Sequence, residues 1–109
     1  MADILTERVS FPANGEEMPG YLARPEGDGP FPGVIVVQEW WGLDDHIQDV
    51  CRRFAREGYA ALAPDLYRGK VTSEPDEAQK LMMSLDMARA ARELARAADW
   101  LAAQPYTRG

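Results

Sequence analysis

The 109-residue sequence predicts one α/β domain, with a mostly parallel sheet, an N-terminal antiparallel hairpin and helices on both faces. Three observations predict this class. Residues 6–11 alternate polar and apolar side chains, and Asn14-Gly15 shortly after them is a strong hairpin-turn signal. Two later runs, at 33–38 and 59–63, are almost continuously apolar, as in strands buried on both faces. The segment between these runs has the spacing of an amphipathic helix.

The hairpin is predicted to contain a strand over residues 6–11 and a returning strand over 20–23. The first of these reads Thr-Glu-Arg-Val-Ser-Phe, which places polar and apolar side chains on opposite faces. A loop rich in glycine and proline, residues 25–32, then leads away from the hairpin.

A strand–helix–strand unit follows. Asp44 or Asp45 can cap the helix, and Gly58 occupies the position of a C-terminal glycine. The apolar positions at helical spacing are Ile47, Val50, Cys51, Phe54 and Ala55. Because the connections are short, we expect parallel strands and a right-handed crossover, with Pro64 ending the second strand. Further helix is predicted over about 75–103, with a break near Asp86.

Composition excludes several classes of protein. The chain has 12 Lys+Arg and 18 Asp+Glu, a net charge of −6, so a nucleic-acid partner is not expected. Unbroken apolar stretches such as Val34–Val37 are too short to span a membrane. A single cysteine and the lack of a signal-peptide pattern predict a cytoplasmic protein.

Ligands of parallel sheets bind at the carboxyl ends of strands, where two segments, 38–42 and 64–69, are predicted to lie. Glu39 follows the C-terminal end of an apolar strand, where a carboxylate would be partly desolvated and could exchange protons near neutral pH. It could equally be a solvated loop residue or one half of a surface ion pair. Trp40 and Trp41 could form a pocket wall or be core residues.

Other candidates have simpler structural interpretations. Asp65 is interpreted as a turn former, His46 as a surface or capping residue, and Cys51 as a small buried hydrophobe. The sequence contains no G-x-S-x-G elbow, phosphate loop or metal-ligand spacing, so neither a cofactor nor a metal is expected. These 109 residues therefore hold no complete nucleophile–base–acid set.

Three segments resemble the dienelactone hydrolases, a branch of the α/β-hydrolase fold. They are GVIVVQEWWGL at 33–43, FAREGYAALAPDLY at 54–67 and DMARAARELARAADWLAAQPY at 86–106. The resemblance covers nearly the whole chain in the family's order. It implies a single partial α/β-hydrolase domain over 1–109, without the nucleophile elbow and later strands.

The resemblance also implies roles for three residues. Glu39 matches the family's active-site glutamate, which interacts with the nucleophilic thiol. The backbone N–H of Trp40 matches one oxyanion-hole donor, and Trp41 matches an aromatic that lines the substrate pocket. The family's Cys-His-Asp triad has no counterpart here, and neither His46 nor Cys51 matches its members.

Two departures from the family bear on the substrate. An arginine and a tyrosine of the dienelactone-cleaving enzymes fall on Pro75 and Gln79. The resemblance therefore implies a hydrolase of a small-molecule ester or lactone rather than of dienelactone itself. Such a chain is expected to be inactive without the Cys-His-Asp part. The alternatives are a non-catalytic α/β oligomer or binding module, or a fragment without function of its own.

The family's strand order, 1-2-4-3-5 and onward, implies that Val34–Val37 lies at an open edge. This run carries no charge or proline that would protect such an edge from pairing. We therefore expect it to pair with a second copy of the chain, as a homo-oligomer, or with a complementing second chain that carries the remaining strands.

Overall fold

The computed structural model describes residues 3–108. It confirms the α/β class, with four strands in one sheet and three helices. In chain order the elements are β1 (Ile4–Ala13), β2 (Glu16–Pro25), β3 (Gly33–Ile35), α1 (Asp45–Arg56), β4 (Ala60–Pro64), α2 (Pro75–Ser84) and α3 (Met87–Ala102).

The N-terminal hairpin forms where the turn signal predicts it. Strands β1 and β2 are antiparallel, with Ala13 opposite Glu16. Asn14 and Gly15 connect them with φ values of +53° and +81°. Positive φ at both central residues matches the right-handed twist of the strands, and Asn-Gly is the pair that adopts it most readily. Both strands are longer than predicted, because pairing continues beyond the alternating segment.

The strand order is β1-β2-β4-β3, in agreement with the order that the resemblance implies. Strand β4 pairs antiparallel with β2, where Leu22 faces Leu62, and parallel with β3, where Val34 faces Ala61. Within residues 3–108 only one of the three pairings is therefore parallel. The sheet is mixed rather than mostly parallel, because β2 of the hairpin takes one side of β4.

Strand β3 is shorter than the predicted run at 33–38. Its ladder reaches Val36, whose N–H donates to the Leu62 carbonyl at 2.9 Å. The next bond of a parallel ladder would need an N–H from Pro64, which proline lacks. Pro64 is itself the last residue of β4. Its main effect is therefore on β3, whose backbone has no further ladder hydrogen bond to β4 after Val36.

Helices cover both faces of the sheet, as predicted. Alternate side chains of β4 point to opposite faces. Ala60 and Leu62 join the core beneath α3, whereas Ala61 and Ala63 join the core beneath α1. No helix in the described part of the chain is long and apolar enough to cross a membrane.

The ends of the helices agree with the cap predictions. The Asp44 carboxylate accepts a hydrogen bond from the Ile47 N–H at 3.1 Å, and Gly58 follows α1 with φ +100°. The predicted break near Asp86 separates α2 from α3. There the Asp86 carboxylate caps α3 by accepting from the Arg89 N–H at 3.1 Å.

Candidate functional site

The two segments that follow β3 and β4 lie against each other, as predicted for the carboxyl ends of neighbouring parallel strands. The Gln38 side-chain oxygen accepts a hydrogen bond from the Leu66 N–H at 2.9 Å. Further along, the Trp41 carbonyl accepts one from the Thr72 N–H at 3.1 Å. These two bonds fix the loop after β4 beside the turn that contains Glu39.

That turn is closed by a hydrogen bond from the Gly42 N–H to the Glu39 carbonyl at 3.0 Å. Gly42 has φ +101°, and a Cβ on it would come within 2.4 Å of the Lys70 carbonyl oxygen. Glycine is required here both for the backbone conformation and for the close approach of the second loop. The turn therefore has little freedom to reorient.

The Glu39 side chain is 57% exposed, and its Oε1 lies 3.5 Å from Nε2 of His46. Within residues 3–108 the Glu39 carboxylate is therefore open to water and not partly desolvated as expected. The contact matches the alternative interpretation of Glu39 as half of a surface ion pair. The assignment of Glu39 to catalysis remains a prediction.

The two tryptophans take different positions. Their ring centroids are 4.9 Å apart and the rings are inclined by 58°. Trp40 is 36% exposed and lines a cavity, whereas Trp41 is half-buried and does not line that cavity. Within residues 3–108 the Trp40 N–H has no hydrogen-bond acceptor, whereas the neighbouring Glu39 forms an isolated antiparallel bridge with Gly42. A donor without an intramolecular partner is available to the carbonyl oxygen of a ligand.

The cavity has a volume of about 260 Å³ and lies at the carboxyl ends of β3 and β4. Its walls come from the turn after β3, the loop after β4 and the facing sides of α2 and α3. They are formed by Val37, Gln38, Glu39, Trp40, Leu66, Tyr67, Met82, Leu85, Met87, Ala90, Ala91 and Leu94. A mainly apolar concavity with a few polar groups at its rim is typical of a small-molecule site.

Sequence reasoning missed the helical wall of this cavity. None of Met82, Leu85, Met87 and Leu94 is among the site candidates named from the sequence. The available signal was an excess of methionine between the two helices, which is unusual for an exposed surface. Met82 is 47% exposed and Met87 is 72% exposed.

A group of ion pairs holds the loop after β4 to α3 and to the hairpin. Glu93 is only 2% exposed and pairs with Arg68, while Arg68 and Arg89 contact Glu16 at 3.0 and 2.8 Å. The side-chain hydrogen bonds from Arg89 and Arg68 hold the pKa of Glu16 below its usual range. Arg68 also donates a hydrogen bond to the carbonyl of Leu66 at 3.3 Å, which links this residue of the cavity wall to the ion pairs. Sequence reasoning did not anticipate these contacts.

The residues interpreted as structural behave accordingly. The Asp65 carboxylate accepts a hydrogen bond from the Gly69 N–H at 2.7 Å, which confirms its role as a turn former. Cys51 is fully buried, and burial raises the pKa of its thiol to about 12, so it is no nucleophile. In the part of the chain that the structure describes, no three acidic, histidine or cysteine side chains could hold a metal ion.

A family model described as the dienelactone hydrolase family matches residues 18–109. Protein usf of Aquifex pyrophilus is 48% identical over 82 residues, which are 72% of this chain and 35% of that protein. An Escherichia coli (strain K12) protein, named as a candidate carboxymethylenebutenolidase, is 59% identical over 60 residues, 54% of this chain and 22% of that protein.

Solved structures are similar in fold as well as in sequence. A candidate dienelactone hydrolase from Klebsiella pneumoniae shares 41% identity with a TM-score of 0.84, covering 94% of this chain and 45% of that chain. A dienelactone hydrolase-like promiscuous phosphotriesterase from metagenomic libraries shares 30% identity with a TM-score of 0.84. The match covers 100% of this chain and 46% of that chain. The chain thus spans less than half the length of these relatives.

Proposed function

Because the chain belongs to the dienelactone hydrolase family, we propose that it forms the N-terminal part of an enzyme that hydrolyses carboxylic ester or lactone bonds. The observation that supports the proposal is that two polar groups lie at the rim of the same cavity. Glu39 and the unpartnered N–H of Trp40 both lie in the turn that follows β3, beside the apolar cavity. A substrate in that cavity would present its carbonyl to a donor and an acid.

Each group has a role in this proposal. The Trp40 N–H stabilises the oxyanion of the tetrahedral intermediate, and one such donor is commonly worth about 3 kcal/mol in the transition state. Glu39 interacts with the attacking thiol and helps to set its protonation. Trp41 lines the substrate pocket once the rest of the fold is in place, since its ring packs against that of Trp40.

The attacking group comes from outside these 109 residues. Cys51 is the single cysteine of the sequence, and its buried, protonated thiol lies in the core beneath α1 rather than at the cavity. In this proposal the Cys-His-Asp set is carried by the later strands of the family fold. The 109 residues alone therefore bind substrate but do not turn it over.

We also propose a partner for the open edge of β3, namely a β-strand of the polypeptide that carries those later strands. Val36 bonds to β4, and backbone groups alternate sides along a strand, so those of Gly33 and Ile35 face away from β4. In the described sheet no strand occupies that side. A groove of about 310 Å³, lined in part by Gly33, Ile35 and Leu101, runs along it.

Complementation tests the proposal. The purified chain, verified by intact mass, is assayed with p-nitrophenyl acetate and a simple lactone, alone and mixed with the segment of the Klebsiella relative that follows the matched part. We expect no turnover alone and turnover from a 1:1 complex isolated by gel filtration. A stable complex without activity would favour the non-catalytic binding module, and a homodimer would identify a second copy as the partner of β3.

Variants of the active complex test the site itself. Glu39→Gln should lower kcat/KM by about tenfold or more, because general acid–base groups commonly contribute at least that much. Glu57→Gln provides a matched control, since Glu57 is an exposed carboxylate at the far end of α1. Unchanged activity in Glu39→Gln would remove Glu39 from the mechanism.

A further inference from the structure

We infer that the cavity beside Glu39 selects an uncharged, hydrocarbon-rich group, so that neutral esters or lactones bind more tightly than analogues that place a carboxylate in the cavity. The inference rests on the proposed function and names its substrate class.

The first argument is the charge of the cavity walls. Glu39 is the only acidic residue among the lining residues, and no lysine, arginine or histidine is among them. Tyr67 is the other ionisable residue, and burial raises the pKa of its phenol, which therefore stays neutral. Among the lining residues an anionic ligand would meet one negative charge and no positive charge, so like-charge repulsion opposes it; His46, which contacts Glu39, is not one of these lining residues.

The second argument concerns the nearby cations. Arg68 pairs with Glu16 and Glu93, and Arg89 pairs with Glu16, so both guanidinium groups already have carboxylate partners. Lys70 lines a separate cavity on the other side of Leu66 and Tyr67. Both arginines are thus engaged by carboxylates, and neither of them lines the cavity beside Glu39.

The third argument is the nature of the apolar wall. Val37, Trp40, Met82 and Met87 are all at least one-third exposed, which leaves hydrocarbon and thioether surface open to a ligand. A carboxylate that loses water against such a wall without a partner is strongly disfavoured, whereas a hydrocarbon group gains by leaving water. Methionine side chains adapt to different shapes, so the wall accepts several small acyl or alkoxy groups.

Binding to the 109-residue chain tests the inference without any need for turnover. The probes are methyl 3-phenylpropanoate and 3-phenylpropanoate, which share a hydrocarbon part and differ in charge. NMR titrations follow the methyl groups of Met82 and Met87 and the indole N–H of Trp40. We expect saturable shifts with the ester and about tenfold weaker binding of the anion.

A pair of exposed methionines supplies a matched control. Met87→Lys places a cation at the cavity wall and should improve binding of the anion about fivefold, because it supplies the missing opposite charge. Met83→Lys adds the same charge at a site that is 74% exposed and outside the cavity, and it should leave both affinities unchanged. Lys70→Gln should also change neither affinity.

Several results would overturn the inference. They are equal affinity for the two probes, shifts that bypass Met82, Met87 and Trp40, no saturable binding of the ester, or anion binding that depends on Lys70. A different result would reject the proposed function, namely a complex that forms but does not hydrolyse esters. An active complex that cleaves carboxylate-bearing and neutral esters equally well would leave that function standing and reject this selectivity.

Discussion

His46 Nε2 lies 3.5 Å from Glu39 Oε1, which brings the first turn of α1 into contact with the turn after β3. The two side chains are 60% and 57% exposed, so water screens the interaction. The sequence interpretation of His46 as a surface residue agrees with this exposure, and its proximity to Glu39 adds a partner that no sequence pattern indicated.

A double-mutant cycle with His46→Gln and Glu39→Gln should give a coupling free energy of about 1 kcal/mol or less, as exposed pairs do. The coupling should decrease as salt is added, because screened charges interact less. Urea unfolding at two salt concentrations measures it. A salt-independent coupling above about 2 kcal/mol would mean that the pair is shielded from water, in conflict with its exposure.

Cys51 should resist thiol reagents in the folded chain. Burial raises the pKa of its thiol from 9.0 to about 12, which lowers the thiolate fraction at neutral pH about a thousandfold. Reaction with Ellman's reagent should therefore be slower by at least that factor in native buffer than in concentrated urea. Rapid native reaction would show that Cys51 is not part of the core beneath α1.

Local sequence signals predicted the elements that local chemistry determines. Asp44 and Gly58 mark the two ends of α1 because a cap and a C-terminal glycine act within one turn. The location of the site at the ends of β3 and β4 was also predictable, since it follows from the parallel pairing. The length of β3 was not, because it depends on the missing N–H of Pro64 in another strand.

The walls of the site were harder to predict, because they depend on contacts distant in sequence. Glu93 lies in a helix with many charged residues, and nothing local distinguishes it from exposed neighbours such as Arg92. Its burial depends on Arg68, which is 25 positions earlier in the chain. The orientation of Met82 and Met87 likewise depends on how α2 and α3 pack on the sheet.

Glu93→Ala should lower the free energy of unfolding by about 1–3 kcal/mol, because it removes charged hydrogen bonds from a buried carboxylate. The arginine partners are partly exposed and can recover water, which limits the loss. Arg92→Ala, on the exposed face of the same helix, should change stability by less than about 0.5 kcal/mol. Equal effects of the two variants in urea unfolding would contradict a structural role for the Glu93 pairs.

Two carboxylates should give opposite pH dependences of stability. Burial raises the pKa of Asp65 above 3.8, so its contribution is present below that value and is lost as pH rises through the folded-state pKa. Arg89 and Arg68 lower the pKa of Glu16 below 4.5, so its contribution is present above that value and is lost as pH falls.

Unfolding curves between pH 3 and 7 separate these effects. Relative to the wild type, Asp65→Asn should gain stability as pH rises, because it removes a buried charge while its amide oxygen can still accept from Gly69. Glu16→Gln should lose relative stability over the same range. Parallel pH profiles for both variants and the wild type would show that neither carboxylate has a shifted pKa.

Gly42→Ala should destabilise the chain more than Gly58→Ala does, although the two glycines have almost the same φ, +101° and +100°. At both positions alanine meets the left-handed strain of about 1–2 kcal/mol. At Gly42 the added Cβ also lies 2.4 Å from the Lys70 carbonyl, whereas at Gly58 nothing lies within 4 Å. The difference between the variants therefore isolates the approach of the two loops.

We expect that difference to be at least about 1 kcal/mol, or a Tm lower by roughly 4–8 °C for a domain of this size. Gly42→Ala should also weaken ester binding at the neighbouring cavity, since displacement of the Lys70 segment disturbs the Thr72–Trp41 hydrogen bond and the turn that carries Glu39. If both glycine variants lose the same stability, the loop after β4 yields freely to the new methyl group. The turn would then lack the rigid support that an oxyanion donor at Trp40 requires.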